Sequence, residues 1–564
     1  MRLPALLVML LTLLAGHATE FTIDNIRYTL EADGTCSLTD GSQAAGDVSL
    51  PAVIEADGNT FNLTAIAPSA FSSNNALTAI DIPATVRSVG DDAFYFCQNL
   101  KMVTLRGGNM LFGGDAFRGC ARLRSVMAAS IEDWLTYDFR GENSSPLSPY
   151  GSLYIAGELL EHLVIPEGVA TVRQYAFFNC ASLKSIDFGE AVTLIETEAF
   201  DGCENVGNII FSPGLTAIGD YAFAINVGLT EVTLPASCRS IGRGCFYGCS
   251  GLTSFSAPGG LEEIPDITFA GCTSLANTDF LYRVRSIGDE AFLLCQSITS
   301  LNLPEGLESI GSHAFQDCSS LRTVALPSSL SSMGSYIFLN CRVLSEVQLP
   351  GALESVPAGL LMQCPAISSV KLPESVTEIG DYAFAQCTGL KYLDLPAPLA
   401  HIGQMAFYGC SALRSMEFGD AMAEIGAEAF YNCPKLNELR CRAIDPPAIS
   451  YFTFDPRMDA ETILYVPESA TDLYANAYGW KLFSHIEGDP SYNPDTRLEI
   501  IYGEGGKMTR VVGYGTSLRL ILRNADGTLP ERVIFNGIDM TSEMTPEGEF
   551  TTPRIESPSV LTIM

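Results

Sequence analysis

The chain has 564 residues, a mass of 60.5 kDa and 47% hydrophobic residues, so it can bury a large core and is too long for one ordinary compact domain. Its formal net charge of −33 repels phosphate backbones, which excludes nucleic acid as a partner. The acidic residues are spread along the chain, a pattern typical of a solvated surface.

Residues 1–18 have the pattern of a secretory signal peptide. Arg2 precedes an apolar run from Leu6 to Ala15, and the small residue Ala18 marks a cleavage point. No cysteine follows in the position that a lipid anchor requires, and no later run is long enough for a transmembrane span. We therefore expect an exported chain, secreted or held at the cell surface.

A 23-residue repeat organises the chain between residues 67 and 454. One column, in steps of 23 apart from a single step of 60, consists of Phe71, Phe94, Phe117, Phe177, Phe200, Phe223, Phe246, Phe269, Phe292, Phe315, Phe338, Leu361, Phe384, Phe407 and Phe430. This period lies in the range of leucine-rich repeats, in which each unit buries its apolar face only against its neighbours. The sequence predicts a leucine-rich repeat solenoid: parallel β, a right-handed superhelix, mostly strand and coil.

The step of 60 separates Phe117 from Phe177 and equals two periods plus 14 residues. The excess contains "RGENSSPLSPYGSLYIAGE", which is rich in Ser, Pro and Gly. We interpret it as an insertion near residues 128–158, a loop that bulges from one coil.

The segment "LKYLDLP" (390–396) shows the strand of a typical unit. Leu393 and Leu395 point to one side, and Tyr392 and Asp394 point to the other. Stacked at about 4.8 Å per coil, such segments predict a long parallel sheet with one face inside the solenoid.

Glycine and proline columns mark the ends of these strands. We interpret Gly380 and its equivalents as residues that permit the turn on the return side. Pro396 ends its strand because proline offers no amide to the ladder.

Thirteen of the seventeen cysteines share one column of the repeat, and asparagine fills it twice. The column comprises Asn74, Cys97, Cys120, Cys180, Cys203, Asn226, Cys249, Cys272, Cys295, Cys318, Cys341, Cys364, Cys387, Cys410 and Cys433. Neither a disulfide nor a thiolate metal site tolerates such an exchange. The position therefore predicts a buried donor to backbone carbonyls that would otherwise be unpaired.

These cysteines are predicted to remain thiols. Parallel Cβ vectors at a spacing of about 4.8 Å are wider apart than the roughly 3.8 Å of a disulfide. No CxxC pair occurs, so no metal site is predicted. Only Cys36 lies outside the repeat columns.

The repeated "IGDYAFAQCTGL" with "LKYLDLP" resembles the BspA-like leucine-rich repeat family of bacterial surface proteins, over roughly residues 21–488. The segment "IDNIRYTLEADGTCSLTD" fits an N-terminal β cap at 19–66, and "LYVPESATDLYANAYGWKLFSHIEG" fits a C-terminal cap at 455–488. The resemblance implies non-enzymatic attachment to host, matrix or neighbouring-cell proteins. A scaffold of this kind carries many partners, so the ligand is not identified by it.

The outward strand positions are where a partner would be recognised, because the inward columns are fixed by packing. They hold eight acids against Lys371 and Arg440, with Tyr392 as the one aromatic residue. We select as the candidate binding face Asp187, Asp279, Asn302, Gln348, Lys371, Tyr392, Asp394, Glu417 and Arg440. So few anchors predict low intrinsic affinity for an extracellular protein ligand, raised by multivalent display. A solvated face on a purely structural protein is an alternative.

A glycan ligand is the other alternative, and the aromatic insertion with Trp134, Tyr137, Tyr150 and Tyr154 is its candidate site. Packing of these rings around the insertion is the competing interpretation.

No catalytic residue, metal or cofactor is predicted. His162, His313 and His401 occupy different phases of the repeat and do not converge. The stretch "YGEGGKMTR" (502–510) lacks the spacing of a phosphate-binding loop and is interpreted as a hairpin turn.

The repeat ends before "EGDPSYNPD", and residues 489–496 are predicted as a linker. Residues 497–564 contain five strand-like stretches, "RLEIIYG", "MTRVVGY", "SLRLILR", "ERVIFNG" and "SVLTIM". They predict a small all-β, sandwich-like domain.

Overall fold

The computed structural model describes residues 19–31, 33–56, 58–450, 452–458, 462–489, 497–502, 506–512, 517–524, 526–555 and 558–564. The predicted signal peptide, and all of the predicted linker except Asp489, lie outside these residues. The chain divides into two compact units, the first ending at Ile337 and the second beginning at Phe338.

The coils of the first unit pair with their neighbours along two ladders. The front ladder uses the predicted alternating segments, in strands Leu77–Ile82, Met102–Leu105, Ser125–Ala128, Ser152–Ile155, His162–Val164, Ser185–Asp187, Asn208–Ile210, Glu231–Thr233, Ser254–Ser256, Ser300–Leu301 and Thr323–Ala325. The return ladder uses two-residue strands Ser88–Val89, Leu111–Phe112, Asp138–Phe139, Thr171–Val172, Leu194–Ile195, Ala217–Ile218, Ser240–Ile241, Glu263–Ile264, Ser286–Ile287, Ser309–Ile310 and Ser332–Met333.

Strand register confirms the predicted parallel solenoid. Ser185 pairs with Asn208 on the front ladder, and Leu194 pairs with Ala217 on the return ladder, each a step of 23 residues in parallel orientation. One sequence period therefore equals one coil.

The N-terminal segment supplies the first strands of both ladders. Its strands are Thr19–Ile23, Ile26–Leu30, Thr35–Asp40, Gly46–Ser49, Val53–Ala56 and Asn59–Ile66. Gly46–Ser49 pairs with the front strand Leu77–Ile82, and Asn59–Ile66 pairs with the return strand Ser88–Val89. The first coil of the repeat region therefore has an N-terminal strand as its partner in both the front and the return ladder.

Phenylalanine rings stack along the core of the first unit. The centroids of Phe200 and Phe223 lie 5.4 Å apart with planes 3° from parallel, and the Phe71 and Phe94 rings lie 5.1 Å apart. All four side chains are fully buried. Each such pair contributes about 0.5–1.5 kcal/mol beyond the area it buries.

The expectation of one long front sheet is wrong, because the front ladder is divided into short sheets. Where a strand is expected near residue 279, the chain forms the 3-10 helix Asp279–Arg283. The Asn277 amide exchanges two hydrogen bonds with the N–H and C=O of Phe255, at 3.1 and 3.0 Å. A side chain thus occupies the groups that the next strand would pair with.

The interpretation of the glycine column as a turn device is also wrong. Gly380 is not in the left-handed region. A Cβ there would lie 2.8 Å from both Ala358 N and Val356 O, so the glycine permits close approach of neighbouring coils. The left-handed conformations fall elsewhere in the coil, as at Tyr382 (φ 58°) and Gln386 (φ 59°).

The inserted segment is not a bulging loop but a coil with strands in both ladders. Asp138–Phe139 pairs with Leu111–Phe112, and Ser152–Ile155 pairs with Ser125–Ala128. The remaining elements of this coil are the helix Ile131–Leu135, the 3-10 helix Glu142–Ser144 and the strand Glu158–Leu159. The inserted segment forms strands because it hydrogen-bonds to the preceding coil, although its Ser, Pro and Gly content is typical of a loop.

The second unit has the same two ladders. Its front strands are Glu346–Gln348, Ser415–Phe418, Glu438–Cys441, Ile463–Pro467 and His485–Asp489, and its return strands are Ser355–Val356, Glu378–Ile379, His401–Ile402, Glu424–Ile425 and Ala448–Ile449. The helix Thr471–Asn476 and the 3-10 helices Glu468–Ala470 and Trp480–Leu482 follow the repeats.

Aromatic residues after the last repeat cover the end of this core. Phe454 stacks 5.5 Å from Phe430, and the buried Trp480 packs 5.6 Å from Phe454. The Trp480 indole donates to Pro447 O at 2.8 Å, and Tyr474 Oη donates to Ala443 O at 2.8 Å. The aromatic faces are therefore buried while their polar atoms are paired.

Residues 497–564 contribute short strands and a buried cluster. The strands are Arg497–Tyr502, Gly506–Val511, Arg519–Ile521, Val533–Phe535, Ile538–Asp539, Glu549–Thr551 and Ser559–Ile563, with the 3-10 helix Thr541–Glu543. Five of them form one sheet and two form another. Leu498, Val533, Phe550 and Leu561 belong to the shared hydrophobic cluster.

Candidate binding surfaces

The cysteine column forms a ladder of thiols inside each unit. In the first unit, Cys272 Sγ donates to Phe246 O at 3.1 Å, across to the preceding coil. The same bond, 26 residues back, is made at 3.0–3.4 Å by Cys97, Cys120, Cys203, Cys249, Cys295 and Cys318, and in the second unit by Cys364, Cys387, Cys410 and Cys433.

Three members of the first unit's column, Asn74, Cys180 and Asn226, do not make this thiol bond. Asn74 Nδ2 donates to Gly41 O and Ala44 O, at 2.9 and 2.8 Å. Asn226 makes the equivalent bond with its amide, from Nδ2 to Phe200 O at 2.9 Å. Cys180 Sγ instead lies 3.5 Å from Ser182 Oγ. Cys341, in the second unit, is buried, and its thiol, like those of the other sixteen cysteines, is not part of a disulfide.

Burial suppresses the chemistry of these thiols. It raises the pKa of Cys97 to about 11 and that of Cys387 to about 12. The thiolate, which is the nucleophile and the metal ligand, is therefore scarce at neutral pH. No group of three or more His, Cys, Asp or Glu side chains in the described ranges is placed to hold a metal ion.

One half-buried carboxyl, that of Asp201, stands out in the first unit. Burial, and next the nearby Glu198 and Glu142, raise the pKa of Asp201 to about 7. Within the described part of the chain, Asp201 Oδ1 has no hydrogen-bond partner. This carboxyl is destabilised when it is charged.

The first front surface combines Asp187, Asp279 and Asn302 with two exposed aliphatic residues. Val164 and Ile210 flank Asp187 in strand register, and their side chains are 60% and 54% exposed. Asn302 Nδ2 donates to Asp279 Oδ1 at 3.0 Å. Asp279 lies in the 3-10 helix instead of the predicted strand.

His162 Nδ1 lies 2.8 Å from Ser185 Oγ on the same surface, in the neighbouring coil. This pair was not foreseen from the sequence, although the two residues are 23 apart. His162 is exposed at the start of its strand.

The second front surface carries Gln348, Lys371, Tyr392, Asp394, Glu417 and Arg440. Lys371, Tyr392 and Asp394 lie in segments without assigned strands, yet all three are exposed, Tyr392 by 53%. Lys391 N donates to Ser368 O at 3.2 Å, so these two coils remain in register.

The other end of this surface is engaged within the protein. Glu417 pairs in strand register with Arg440 but accepts a hydrogen bond from Arg442 Nε at 2.6 Å. Arg440 bonds Glu438 at 3.0 Å, pairs with Asp489 and lies over the Tyr465 ring at 4.5 Å from its centroid. Lys371, Tyr392 and Asp394 are therefore the more available members.

The aromatic insertion does not present its rings as a glycan platform. Trp134 and Tyr137 are buried, with the indole donating to Ala176 O at 2.9 Å and Tyr137 Oη donating to Gly107 O at 2.7 Å. Tyr150 is half exposed. The candidate glycan site at the insertion is thus wrong for two of its four aromatic residues, because Trp134 and Tyr137 are packed in the core.

An amide row in the second unit was missed from the sequence. It consists of Asn340, Gln363, Gln386 and Asn432, with Gly409 between the last two, and each precedes a ladder cysteine. All five have positive φ, from 59° to 71°. The same 23-residue step that revealed the cysteines would have revealed the row.

Residues 58–145, 154–276, 262–391 and 377–478 match the model of the BspA type leucine rich repeat region. The matches cover most of the chain, so the protein belongs to this family. No match to a curated protein reaches significance.

Solved bacterial structures are similar to this chain. A leucine-rich repeat protein from Bacteroides ovatus ATCC 8483 has 27% identity and a TM-score of 0.46, over 74% of this chain and 94% of that one. A leucine rich cell surface protein from Faecalibacterium prausnitzii A2-165 has 21% identity and a TM-score of 0.41, over 76% and 96%. The pneumococcal vaccine antigen PcpA has 16% identity and a TM-score of 0.35, over 84% and 99%.

Membrane insertion was assessed on the helices within the described ranges. None of them combines the length and the apolar character needed to cross a bilayer.

Proposed function

We propose that the protein is an exported, non-enzymatic binding protein, an adhesin that contacts an extracellular protein of a host, matrix or neighbouring cell. Membership of the BspA-type family supports a role in binding. The acidic charge and the signal-like residues 1–18 support an exported protein that avoids nucleic acid.

The observation that carries this proposal is the exposure of Tyr392 beside Lys371 and Asp394 on coils held in register from within. Tyrosine contributes large contact area at low conformational-entropy cost, and the two opposite charges restrict the choice of partner. Regular coils pre-organise these side chains, so little entropy is lost when a partner binds. One aromatic anchor predicts weak single-site binding, strengthened when many copies are displayed.

A glycan ligand remains the second candidate. The observation that supports it lies in the second unit and not in the aromatic insertion. A row of amide side chains, exposed at Gln386 and Asn432 and half-buried at Asn340 and Gln363, runs along adjacent coils of the second unit.

We also propose that residues 497–564 form a separate sandwich-like module. Its support is that the buried cluster with Leu498, Phe535 and Leu561 is made only of residues from this segment. Such a module would attach the solenoid to a surface or hold it away from one.

A solid-phase assay tests the adhesin proposal with fibronectin, laminin, collagen and fibrinogen as probes. At least one should bind the wild type, and the double variant K371A/Y392A should bind it about tenfold more weakly. T323A, at an exposed front-ladder position of the first unit, is the matched control and should leave binding unchanged. Equal binding by K371A/Y392A, or no binding of any probe, would contradict the proposal.

A further inference from the structure

The amide row lies along an open groove in the second unit. The groove has a volume of about 720 Å³, and Arg342, Pro365, Thr388, Tyr408 and Ser411 line it beside the row. This volume is in the range of small-molecule sites, which is about 300–1,000 Å³.

Backbone hydrogen bonds hold the row in register across adjacent coils. Gln363 N donates to Ala385 O at 2.7 Å, and Gln386 N donates to Tyr408 O at 2.6 Å. At about 4.8 Å per coil, the four steps from Asn340 to Asn432 span roughly 19 Å. The groove therefore presents a repeating set of polar groups to an elongated ligand.

The groove is polar, and its one formal charge lies at one end, in a protein of net charge −33. Of the described residues that line it, none is acidic, and Arg342 is the one with a formal charge. Arg342 Nε donates to Asn340 Oδ1 at 3.0 Å, so this end of the row is already paired. The ligand chemistry that fits is hydroxyl-rich and uncharged.

The row beyond Asn340 is available for a ligand. The side chains of Gln363, Gln386 and Asn432 make no hydrogen bond to other described residues of the protein. Their carbonyl and NH₂ groups can each accept and donate, which suits sugar hydroxyls.

The backbone alone does not explain this choice of residues. Asparagine tolerates the left-handed conformation, but glutamine has no such preference, so Gln363 and Gln386 are unexplained by it. In the first unit, the same column holds apolar residues such as Ile225 and Leu294, at φ 54° and 63°. An amide is therefore not a requirement of the coil, although the first unit also has one in this column, Asn179 at φ 57°. What distinguishes the groove is that four of five successive coils carry an amide at this position.

Gly409 leaves a recess within the row. A Cβ at this position would lie 3.5 Å from Gln386 Cγ and 4.0 Å from Asn432 Nδ2. The half-buried Tyr408 precedes it and stacks on Tyr431 with centroids 6.0 Å apart. A ligand can therefore contact amides on two sides and an aromatic residue beside the recess.

We propose that this groove binds an extended, neutral glycan chain. The amides and the hydroxyls of Thr388 and Ser411 hydrogen-bond the sugar hydroxyls, while Tyr408 and Pro365 contact apolar sugar faces. A folded protein ligand is less suited, because the groove lacks an exposed apolar anchor at its centre. The site is distinct from the second front surface and does not depend on the adhesin proposal.

A glycan microarray and titration calorimetry with cellohexaose, maltohexaose, xylohexaose and chitohexaose test this inference. We expect at least one neutral linear glycan to bind the full chain, with a Kd between about 1 μM and 1 mM. The double variant Q363A/Q386A should bind it at least about tenfold more weakly. I225A/L294A, which makes the same change at exposed left-handed positions of the first unit, should bind as the wild type does.

Two further variants separate the possible outcomes. G409N keeps a residue that accepts positive φ while it fills the recess, and it should also weaken binding even if Q363A/Q386A folds poorly. K371A/Y392A should retain glycan binding. No glycan binding at millimolar concentration, undiminished binding by Q363A/Q386A and G409N, or loss of a protein ligand in these variants would overturn the inference.

Discussion

At the position of the cysteine ladder, either a thiol or an amide can donate to a main-chain carbonyl, but the two groups differ in the polar atoms that they leave unpaired. Cys249 donates to Phe223 O at 3.1 Å, and Asn226 donates to Phe200 O at 2.9 Å. The Asn226 Oδ1 atom, however, is buried without a partner among the described residues. A sulfur leaves no such acceptor, which accounts for the preference for cysteine in the repeats.

This difference predicts that N226C stabilises the protein. Removal of the orphaned acceptor should raise the free energy of unfolding by about 1 kcal/mol, because the new thiol keeps the bond to Phe200 O. Urea unfolding followed by circular dichroism measures it.

Asn74 provides the control for that experiment. Its amide donates to Gly41 O and Ala44 O, and its Oδ1 accepts from Ala76 N and Leu77 N. N74C should therefore destabilise the protein by about 2 kcal/mol or more. Equal effects of the two substitutions would show that the orphaned oxygen is unimportant.

Asp201 predicts a pH dependence of stability in the first unit. Its pKa is about 7 when folded and 3.8 as an isolated side chain. Its favourable contribution is complete below about pH 4 and is lost as pH rises through 7, because the folded state must then hold a buried charge. Thermal melts at pH 5 and pH 8 should show that D201N stabilises more at pH 8.

The exposed Asp394 supplies the comparison, and D394N should not change the difference between the two pH values. A D201N protein whose melting temperature shifts equally at pH 5 and pH 8 would exclude a raised pKa at this site.

At the scale of the element, the inserted coil shows how a ring can be replaced. Phe117 N donates to Asn143 O at 2.9 Å. This bond identifies Ser144, the residue after Asn143, as the one at the next position of the phenylalanine column. The Trp134 indole fills the space, 5.8 Å from Phe139 and 6.4 Å from Phe177. The core continues although its column is interrupted.

We predict that W134A destabilises the first unit by about 3–5 kcal/mol, because it leaves a large cavity and an unpaired Ala176 O. Y150A, an aromatic truncation in the same insertion at a half-exposed site, should cost less than about 1 kcal/mol. Urea unfolding of both variants measures the contrast. A W134A protein as stable as Y150A would contradict the assigned role of the indole.

The sequence predicted those elements whose side chains are constrained. Inward residues such as Phe200 and Cys272 must recur, so their 23-residue period is visible in one chain. The breaks in the front ladder were not visible, because one asparagine, Asn277, decides the break near Phe255. The left-handed positions also escaped notice, since they are filled by residues as different as Ile225 and Glu198.

The candidate sites were predictable only in part, for a related reason. Outward columns can be read from alternation, but exposure depends on ion pairs that the alternation does not encode. Arg440 was selected as a binding residue, yet it is held by Glu438 and Asp489. The amide row is encoded in the repeat, but it lies at left-handed positions outside the strands, where alternation gives no signal.

At the scale of the whole molecule, stability of a solenoid is a sum of coil and interface terms. Deletion of residues 217–239 removes one full period from the first unit and brings Ser240 into the place of Ala217. The shortened protein should fold, with a cooperative urea transition and unchanged circular dichroism per residue. Deletion of residues 217–228 shifts the columns out of register and should abolish folding; equal behaviour of both deletions would argue against the repeat as the unit of stability.

The central claim is that each unit is held from within by free, buried thiols that donate to the main chain. Intact mass spectrometry after alkylation tests it most directly, on protein purified without reductant. Denatured protein should gain seventeen adducts, and native protein at pH 8 should gain none, because all seventeen cysteines are buried. Adducts missing in pairs from the denatured sample, or rapid labelling of the native one, would contradict the account.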